Sequence, residues 1–498
     1  MRDGDHPREE CGVFGVAAPG RDVSRLAFWA LHALQHRGQE SAGIAATDGR
    51  WMTVQKDLGL VGDVFDEPSL RSLTGTTAIG HVRYSTTGAN RWQNAQPVSR
   101  TRGEGYVAIA HNGNLTNTDA LRRELDGTGT ELVATSDSEL IAALIADEPG
   151  TLLDAVTAVM PRLVGAYSVV ALTSDGELVA FRDPHGVRPL VLGRVDGGHC
   201  VASETCALDQ IGAALLREVT PGEAVRIDAD GVTGHQVMPA AGARLCIFES
   251  IYFARPDSLL DGRTVWESRR AMGAELAGES PVDADMVVGL PDSGTPAAIG
   301  FAGASGIPYA EAVVRNRYVG RSFIQPDQEM RQRGVWLKFN PLRELIAGRR
   351  LVVIDDSIVR GNTTRQVVAM LREAGAAEVH LRISSPPIAW PCFYGIDMAD
   401  RAELFAAQMD VEGIRRSVGA DSLAYLSLDG LQRAIGRPAS GYCRACFTGD
   451  YPIAIPAAAP GAAAGADKLR FEAPADGRRP AGATAVPVTV GRVPAGGR

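Results

Sequence analysis

Two adjacent carboxylates at the end of an apolar run are the clearest chemical signal in the sequence. Residues 351–354 predict a buried parallel strand, and Asp355 and Asp356 follow at its carboxyl end, where open α/β sheets bind ligands. Hydroxyls, small residues and backbone N–H groups come next, over Ser357, Ile358, Val359, Arg360, Gly361, Asn362 and Thr363. A phosphate at the start of the following helix would meet these donors and the positive end of the helix dipole. The pattern indicates a sugar-phosphate site, although a metal site or a response-regulator carboxylate site would share the strand and the aspartates.

Cys11 is the second residue whose chemistry could matter. It follows an acidic pair and opens a strand of small residues, which taken alone predicts a buried structural cysteine. Four polar segments lie between apolar runs further along the chain: residues 34–43, 80–88, 111–115 and 135–139. Each could be structural, since Asn112-Gly113 is a common turn dipeptide and residues 136–139 fit a helix capping box. Together, several such loops are what an amide substrate would need around it.

The elements that would position these residues fall into two blocks. At 498 residues the chain is long enough for two to four domains. Up to about residue 235 it has many short β-like segments, and from about residue 246 strands alternate with helices. Beyond Pro456 the sequence is rich in Ala, Pro and Gly, which predicts disorder. The expected organisation is a leader at 1–10, domains at 11–240 and 241–455, and a disordered tail at 456–498.

Composition and charge exclude several classes of protein. The net charge of −9 gives no overall electrostatic case for nucleic-acid binding. The first ten residues are strongly charged and lack the apolar core of a secretory signal, and no apolar run approaches the ~18 residues of a membrane span. Seven cysteines are too few and too scattered for a disulfide scaffold, and an odd number cannot all pair. We expect reduced thiols in a cytoplasmic protein, some of them catalytic or metal-bound.

In their order after Cys11, the polar segments resemble the glutaminase domain of the class II glutamine amidotransferases. The resemblance implies the αββα sandwich of the amino-terminal-nucleophile (Ntn) hydrolases, with Cys11 as the nucleophile. Arg83 would bind the α-carboxylate of glutamine, and Asp137 its α-ammonium group. The Asn112 side chain and the Gly113 N–H would form the oxyanion hole.

The chemistry of a thiol nucleophile explains why Cys11 should be the first residue of the mature protein. A thiol of pKa about 8.5 is a poor nucleophile while protonated, so a base must take its proton. A free α-amine, with a pKa of about 7.7 to 8.0, is partly neutral at pH 7, whereas a lysine amine near 10.4 stays charged. The α-amine of Cys11 could act as that base only after residues 1–10 are removed. We therefore predict that the leader is cleaved.

The segment 355–363 resembles the phosphoribosyl-pyrophosphate (PRPP) binding motif of the type I phosphoribosyltransferases, which have an α/β fold. The resemblance implies that the two aspartates hold the ribose hydroxyls and that the loop holds the 5-phosphate. Ser293, in a second loop between strand and helix, would join both aspartates around one Mg²⁺ per subunit, with substrate phosphates and water. Lys338 would contact PRPP from a basic loop that closes over it. In that loop Trp336 and Phe339 stand where the family usually has Arg and Leu.

Before its tail, the chain as a whole resembles the glutamine amidophosphoribosyltransferase family. The resemblance implies that ammonia released from L-glutamine passes through an internal channel and displaces pyrophosphate from PRPP, which opens de novo purine synthesis. It also implies a homodimer or homotetramer and feedback inhibition by purine nucleotides. Neither a nucleic acid nor a membrane is expected as a partner.

Two other classes of protein share half of the pattern. Hexosamine-forming and asparagine-forming amidotransferases have the glutaminase half, but the Asp355-Asp356 motif argues against both. A non-catalytic PRPP-sensing regulator would share the second half, because this fold also serves in transcription control. Such a regulator would be expected to carry a basic nucleic-acid-binding face, against which the acidic balance and the full glutaminase set argue.

Four cysteines raise the question of a second cofactor. Cys443 and Cys446 form a single CxxC pair, which zinc, a redox couple or coincidence could each explain. With Cys246 and Cys392 they match the iron-sulfur subgroup of the family, which implies one 4Fe-4S cluster per subunit held by all four thiolates. Its role would be structural and oxygen-sensitive, since no step of the expected reaction needs an electron. We expect structural roles for Cys200 and Cys206, and likewise for His185.

Overall fold

The computed structural model describes residues 11–84, 91–228, 231–316, 338–398, 400–436, 438–455 and 488–492. The predicted leader, Trp336 and most of the predicted tail lie outside these residues. Among the helices of the described part, none is both long and apolar enough to cross a membrane.

Two antiparallel sheets form the amino-terminal half. In chain order their strands are β1 (Gly12–Ala17), β2 (Ser41–Thr47), β3 (Trp51–Leu58), β4 (Thr77–Arg83), β5 (Val98–Arg102), β6 (Gly105–Leu115), β7 (Gly165–Thr173), β8 (Leu178–Arg182), β9 (Val191–Val195), β10 (Gly198–Ala202), β11 (Ala214–Glu218), β12 (Glu223–Ile227) and β13 (Val232–Gln236). The first sheet runs β11-β9-β10-β1-β4-β2-β3, and the second runs β13-β12-β8-β7-β6-β5. Short segments joined by tight turns give such antiparallel pairs, because parallel strands need long crossover connections.

Helices cover the outer face of each sheet. They are α1 (Val23–Ala33), α2 (Val61–Val64), α3 (Glu67–Ser72), α4 (Thr118–Thr128), α5 (Asp137–Asp147), α6 (Leu152–Val159) and α7 (Thr205–Gln210), with 3-10 turns at Trp92–Asn94 and Met160–Arg162. One apolar core lies between the sheets, where Val13 and Ile79 of the first sheet pack in the same cluster as Val170 and Leu178 of the second. Two further cores lie between each sheet and its helices. This is the αββα sandwich that the sequence predicts.

A parallel sheet forms the centre of the carboxyl-terminal half. Its strands are ordered β17-β20-β21-β22, and every neighbouring pair is parallel. The strands of this half are β14 (Leu245–Cys246), β15 (Leu259–Leu260), β16 (Arg263–Thr264), β17 (Met286–Gly289), β18 (Val313–Arg315), β19 (Phe339–Pro341), β20 (Arg350–Asp355), β21 (Glu378–Ile383), β22 (Ser422–Tyr425) and β23 (Tyr442–Cys443). Its helices are α8 (Val265–Glu279), α9 (Gly294–Ser305), α10 (Arg343–Ile346), α11 (Asn362–Glu373), α12 (Phe405–Gln408), α13 (Val411–Val418), α14 (Leu428–Ile435) and α15 (Ala445–Thr448), with a π-helical turn at Glu249–Phe253 and 3-10 turns at Arg401–Glu403 and Ala439–Gly441.

Strand β20 is apolar on both faces because helices cover both. Leu351 and Val353 pack in the core that includes α11 and α13, whereas Val352 and Ile354 pack in the core that includes α8 and α9. A strand covered on both faces reads as a continuous apolar run rather than an alternating one. The predicted buried parallel strand and α/β fold are therefore confirmed, and the carboxyl end of β20 presents Asp355.

The prediction for the tail needs one correction. Residues 456–498 are predicted to be disordered as a whole, but the structure places Val488–Arg492 as a strand, β24, paired antiparallel with β3. Two β-branched valines and a threonine suit a strand, and β3 otherwise forms the edge of its sheet. The compositional bias toward Ala, Pro and Gly masked this short β-forming segment.

Candidate active sites

Cys11 lies immediately before β1, where the two sheets meet a small pocket. Its side chain is buried, and Sγ donates a hydrogen bond to the Tyr84 carbonyl oxygen at 3.3 Å. The pocket is lined by Cys11, Arg83, Tyr84, Gln96, His111, Gly113, Ser136, Asp137 and Ser138. Strands β4 and β6 and the start of α5 thus bring Arg83, Gly113 and Asp137 to the thiol, as the sequence predicts.

The thiol of Cys11 is held in its neutral form. Burial raises its pKa to about 11, although the Tyr84 hydrogen bond and the charge of Arg83 oppose that rise. A thiol with such a pKa supplies very little thiolate at neutral pH, so attack on an amide requires a nearby base.

Two opposite charges stand on the wall of this pocket. Arg83 ends β4, is 2% exposed, and has its Nη1 3.8 Å from Glu40 Oε2. Asp137 begins α5 and accepts the Leu115 N–H at 3.0 Å. Burial works against ionisation of Asp137, but the charge and hydrogen bond of His111 and backbone N–H groups keep its pKa below the ordinary value. A cation and an anion on one pocket wall have charges complementary to the carboxylate and ammonium groups of a free amino acid.

Asn112 and Gly113 of β6 have the features of an oxyanion site. Asn112 is 1% exposed, and its Nδ2 has no hydrogen-bond partner among the described residues. A buried amide donor without an acceptor is costly, so it is typical of a group that receives a ligand. Gly113 has φ +146°, and a Cβ there would lie 2.0 Å from the Ala166 carbonyl oxygen. Only glycine fits at this position. Gly113 lines the pocket, whereas Asn112 is not among the lining residues.

The second site lies at the carboxyl edge of the parallel sheet, around the buried pair Asp355 and Asp356. Ser293 Oγ, just before α9, donates to Asp356 Oδ2 at 2.5 Å, and Ser357 Oγ donates to Asp356 Oδ1 at 2.6 Å. The Asp356 N–H donates to Asp355 Oδ1 at 2.9 Å. The structure therefore brings together the two loops that the sequence predicts for one site.

The loop after the aspartates turns into α11 at Gly361. That glycine has φ +73°, and a Cβ there would lie 2.1 Å from the Phe405 ring. Asn362 and Thr363 form the first turn of α11 and so present its first backbone N–H groups. The side chains of Ile358 and Val359 are buried in the apolar cores. These two residues can therefore offer only backbone groups to a ligand.

Two basic residues predicted near this site have other surroundings in the structure. Arg360 Nε donates to Glu403 Oε2 at 2.8 Å. Lys338 is exposed, and its carbonyl oxygen accepts the Asn316 N–H at 2.8 Å. The intervening basic loop, residues 317–337, lies outside the described residues, while Phe339 begins β19.

The four cysteines of the predicted cluster share one core. Cys246 in β14 lies opposite Cys443 in the parallel strand β23, and Cys446 follows in α15. The N–H groups of Ala389 and Trp390 each donate to the Cys446 carbonyl oxygen at 3.1 Å, which brings the segment carrying Cys392 alongside. Cys392 is partly buried and packs against the same core. Among the described residues, however, no group of three or more Cys, His, Asp or Glu side chains stands in an arrangement that could hold a metal ion.

Two residues near Cys11, Gln96 and Lys56, are not among those that the sequence predicts for this site. Gln96 lines the Cys11 pocket, and Lys56 Nζ donates to two carbonyl groups on either side of it. The polar stretch 94–97 directly before β5 is the signal that could have drawn attention to Gln96. No local signal marks Lys56, which lies on the distant strand β3.

Comparisons with known proteins identify the family of this chain. The fold and the sites define a protein that joins a glutaminase sandwich to a parallel phosphoribosyltransferase sheet, and a family model described as a glutamine amidotransferase domain matches residues 81–210. The amidophosphoribosyltransferase of Mycobacterium tuberculosis is 52% identical over 91% of this chain and 88% of its own length. That of Bacillus subtilis is 47% identical over 90% of this chain and 95% of its own length. The chain therefore belongs to the amidophosphoribosyltransferase family.

A solved structure of a relative extends the agreement to three dimensions. The glutamine PRPP amidotransferase from B. subtilis complexed with ADP and GMP matches with a TM-score of 0.85 at 47% identity, over 89% of this chain and 98% of that one. The match covers nearly the whole of the relative, so the two proteins share the fold of both halves.

Proposed function

We propose that the protein converts L-glutamine, PRPP and water into 5-phosphoribosylamine, L-glutamate and diphosphate, the first committed step of de novo purine synthesis. Family membership supports the reaction, and one observation carries it: a single chain holds both the Cys11 pocket, with Arg83 and Asp137 on its wall, and the Ser293-Asp356 site. Neither a glutaminase alone nor a phosphoribosyltransferase alone would need both.

In the first half-reaction the Cys11 sulfur attacks the amide carbon of glutamine. Its proton passes to the α-amine of Cys11, freed by removal of residues 1–10, and then to the leaving ammonia. Asn112 Nδ2 and the Gly113 N–H stabilise the tetrahedral oxyanion, which collapses to a thioester. Water hydrolyses the thioester to glutamate and restores the thiol.

In the second half-reaction ammonia reaches the other site through an internal channel, attacks the anomeric carbon of PRPP and displaces diphosphate. Asp355 and Asp356 hold the ribose hydroxyls, and residues 357–363 hold the 5-phosphate at the start of α11. Water would compete with ammonia as the nucleophile, so closure of the loop that carries Lys338 should accompany catalysis.

One Mg²⁺ fits this second site. The buried carboxylate of Asp356 lies within hydrogen-bond distance of Ser293 Oγ, which gives oxygen donors of the kind that magnesium prefers. The ion would take most of its remaining ligands from substrate phosphates and water, and it would neutralise charge on the departing diphosphate.

A 4Fe-4S cluster is compatible with the donor chemistry of the four cysteines. Cys246, Cys443 and Cys446 are buried with Cys392 beside them, and a set of four thiols suits an iron-sulfur cluster as well as zinc. The resemblance to the iron-sulfur subgroup of the family favours the cluster. Burial raises the pKa of Cys443 to about 12, so these thiols would ionise only with a compensating positive group. The side chains would have to shift to ligate, since no ready metal-holding group stands among the described residues.

Regulation and assembly complete the proposal. The relative complexed with ADP and GMP supports feedback inhibition of this enzyme by purine nucleotides. We further propose a homodimer or homotetramer and a mature chain that begins at Cys11.

The test compares two nitrogen donors in protein that is purified anaerobically after processing. With PRPP and Mg²⁺, the parent should release pyrophosphate with either glutamine or free ammonia. Cys11→Ser should lose the glutamine-dependent rate and keep the ammonia-dependent rate. Equal loss of both rates would contradict the two-site reaction, and intact mass together with iron content would check the leader and the cluster.

A further inference from the structure

A short turn beside the glutamine pocket, residues 92–97, is tied to the oxyanion strand by a buried side chain. Gln96 is 3% exposed and lines the pocket with Cys11. Its Oε1 accepts the His111 N–H at 2.7 Å, and its Nε2 donates to the His111 carbonyl oxygen at 3.4 Å. His111 directly precedes Asn112 and Gly113. Gln96 therefore holds the backbone of the residue that directly precedes both oxyanion donors.

These two hydrogen bonds continue the β5–β6 ladder with a side chain in place of a strand. The ladder ends with the pair Val98 and Ile109, and Pro97 has no N–H with which to extend it. The side-chain amide of Gln96 has a carbonyl acceptor and N–H donors in one plane, as a peptide group does. It can therefore form hydrogen bonds with both the N–H and the carbonyl oxygen of His111, beyond the last main-chain pair of the ladder.

The same turn also holds the opposite wall of the pocket. Asn94 Nδ2 donates to Thr135 Oγ1 at 3.1 Å, and the Thr135 N–H donates to Asn94 Oδ1 at 3.0 Å. Thr135 lies two residues before Asp137, which begins α5. The 92–97 turn thus joins the oxyanion strand to the helix start that carries the predicted partner of the substrate ammonium group.

Lys56 of β3 anchors the turn. Its Nζ donates to the Ala95 carbonyl oxygen at 2.5 Å and to the Pro97 carbonyl oxygen at 3.1 Å, on either side of the buried glutamine. The Trp92 indole N–H donates to the Lys56 carbonyl oxygen at 3.1 Å. Lys56 Nζ also lies 5.3 Å from the centre of the Trp92 ring, within the range of a cation–π contact. One cation therefore ties both ends of the turn to the first sheet.

We propose that Gln96 and Lys56 are positioning residues of the glutamine half-reaction: Gln96 orients the oxyanion donors, and Lys56 holds the turn that carries Gln96. Oxyanion donors act on charge that exists only in the transition state, so their misplacement lowers kcat more than it raises KM. The inference rests on glutamine as the substrate of this pocket. Synthesis from free ammonia does not use this pocket, so it distinguishes a failure of the positioning role from a failure of the proposed function.

The experiment measures kcat and KM for glutamine, and the ammonia-dependent rate, in four variants of the full-length processed protein. Gln96→Met removes both hydrogen bonds and should lower kcat with glutamine by about 10- to 100-fold, with KM within about threefold of the parent. Gln96→Glu keeps the acceptor for the His111 N–H and should recover part of that loss. Lys56→Met should lower kcat similarly, and Lys56→Arg, which keeps the cation, should restore much of it. All four should keep the ammonia-dependent rate.

Arg102→Met is the matched control. Arg102 Nη2 donates to the carbonyl oxygens of Gly150 at 2.9 Å and Thr151 at 3.1 Å, so it is a cation that holds main-chain carbonyls in the same half but lies outside the pocket wall. It should keep the parent kcat with glutamine. The proposal is wrong if Gln96→Met and Lys56→Met keep the parent kcat with glutamine, or if their glutamine-dependent and ammonia-dependent rates fall together. It is also wrong if Arg102→Met lowers kcat with glutamine as much as they do. A parent enzyme that cannot use glutamine would instead overturn the proposed function.

Discussion

The unpaired amide of Asn112 gives a prediction that separates catalysis from stability. Asn112→Leu should lower kcat with glutamine by about 100- to 1000-fold, the usual loss for one oxyanion donor. The same change replaces a buried Nδ2 that has no partner among the described residues. Loss of a buried donor that makes no hydrogen bond removes a desolvation cost and no bond, so the free energy of unfolding should not fall. Urea unfolding and steady-state kinetics check both; a large loss of stability would mean that Asn112 is structural.

The state of the Cys11 thiol predicts the pH dependence of glutamine use. Burial raises its pKa to about 11, so the thiol stays protonated throughout the working range. If the α-amine is the base, kcat/KM for glutamine should rise with pH as that amine loses its proton, at about 7.7 to 8.0. If kcat/KM instead continues to rise toward about pH 11, the group that loses its proton is the thiol itself. A kcat/KM profile over pH 6 to about 10 distinguishes the two.

At the scale of the element, the turn into α11 depends on the absence of a side chain at Gly361. Gly361→Ala forces a left-handed φ of +73° on a residue with a Cβ and drives that atom into Phe405. Gly348→Ala is the control, because Gly348 has φ +72° but open space around its Cβ position. Both changes should cost about 1–2 kcal/mol of backbone strain. Only Gly361→Ala should also raise KM for PRPP, by about tenfold, because only there must the phosphate loop move.

Kinetics with PRPP and thermal denaturation of both variants check this prediction. Equal KM values for PRPP in the two variants would mean that residues 357–363 do not set PRPP affinity. A loss of stability in Gly361→Ala without any kinetic change would point to the same conclusion.

Local patterns account for the elements that the sequence predicted well. The apolar run at 351–354 became β20, and the helix expected after the phosphate loop is α11. Hydrophobic periodicity and composition are properties of a short segment, so they can be recognised without knowledge of the fold. Contacts between distant segments cannot be recognised in this way. Lys56 contacts Ala95 and Pro97 only because β3 and the 92–97 turn meet in the folded protein. The β24 strand was missed because its segment lies in a tail rich in Ala, Pro and Gly and its partner is the distant β3.

At the scale of the whole molecule, buried polar contacts join the two halves. Asn114 Nδ2 donates to the Phe393 carbonyl oxygen at 2.9 Å, and Thr116 Oγ1 donates to that of Ala454 at 3.1 Å. Arg37 of the amino-terminal half is fully buried between the carboxylates of Glu204 and Glu249. Although burial lowers the pKa of Arg37, those two carboxylates raise it above its usual value, so the cation is permanent. The glutamine site is thus built on a sandwich that the second half helps to hold.

The Arg37–Glu249 contact gives the last prediction. Arg37 Nη2 donates to Glu249 Oε2 at 2.5 Å with both side chains fully buried, so Glu249→Gln leaves a buried guanidinium short of one negative charge. Loss of one partner of a buried pair typically costs about 3–5 kcal/mol. Glu275→Gln is the control, because its partner Arg433 is 54% exposed and such a pair is worth at most about 1 kcal/mol.

Urea unfolding of the whole protein, monitored separately through glutamine-dependent and ammonia-dependent activity, measures the effect. Glu249→Gln should lower the urea concentration at the midpoint of the first unfolding transition. Both activities should be lost in that transition, because the ion pair spans the two halves. Glu275→Gln should leave the midpoint within error of the parent. If Glu249→Gln behaves like Glu275→Gln, the halves are held by their apolar contacts and the buried ion pair adds nothing to their union.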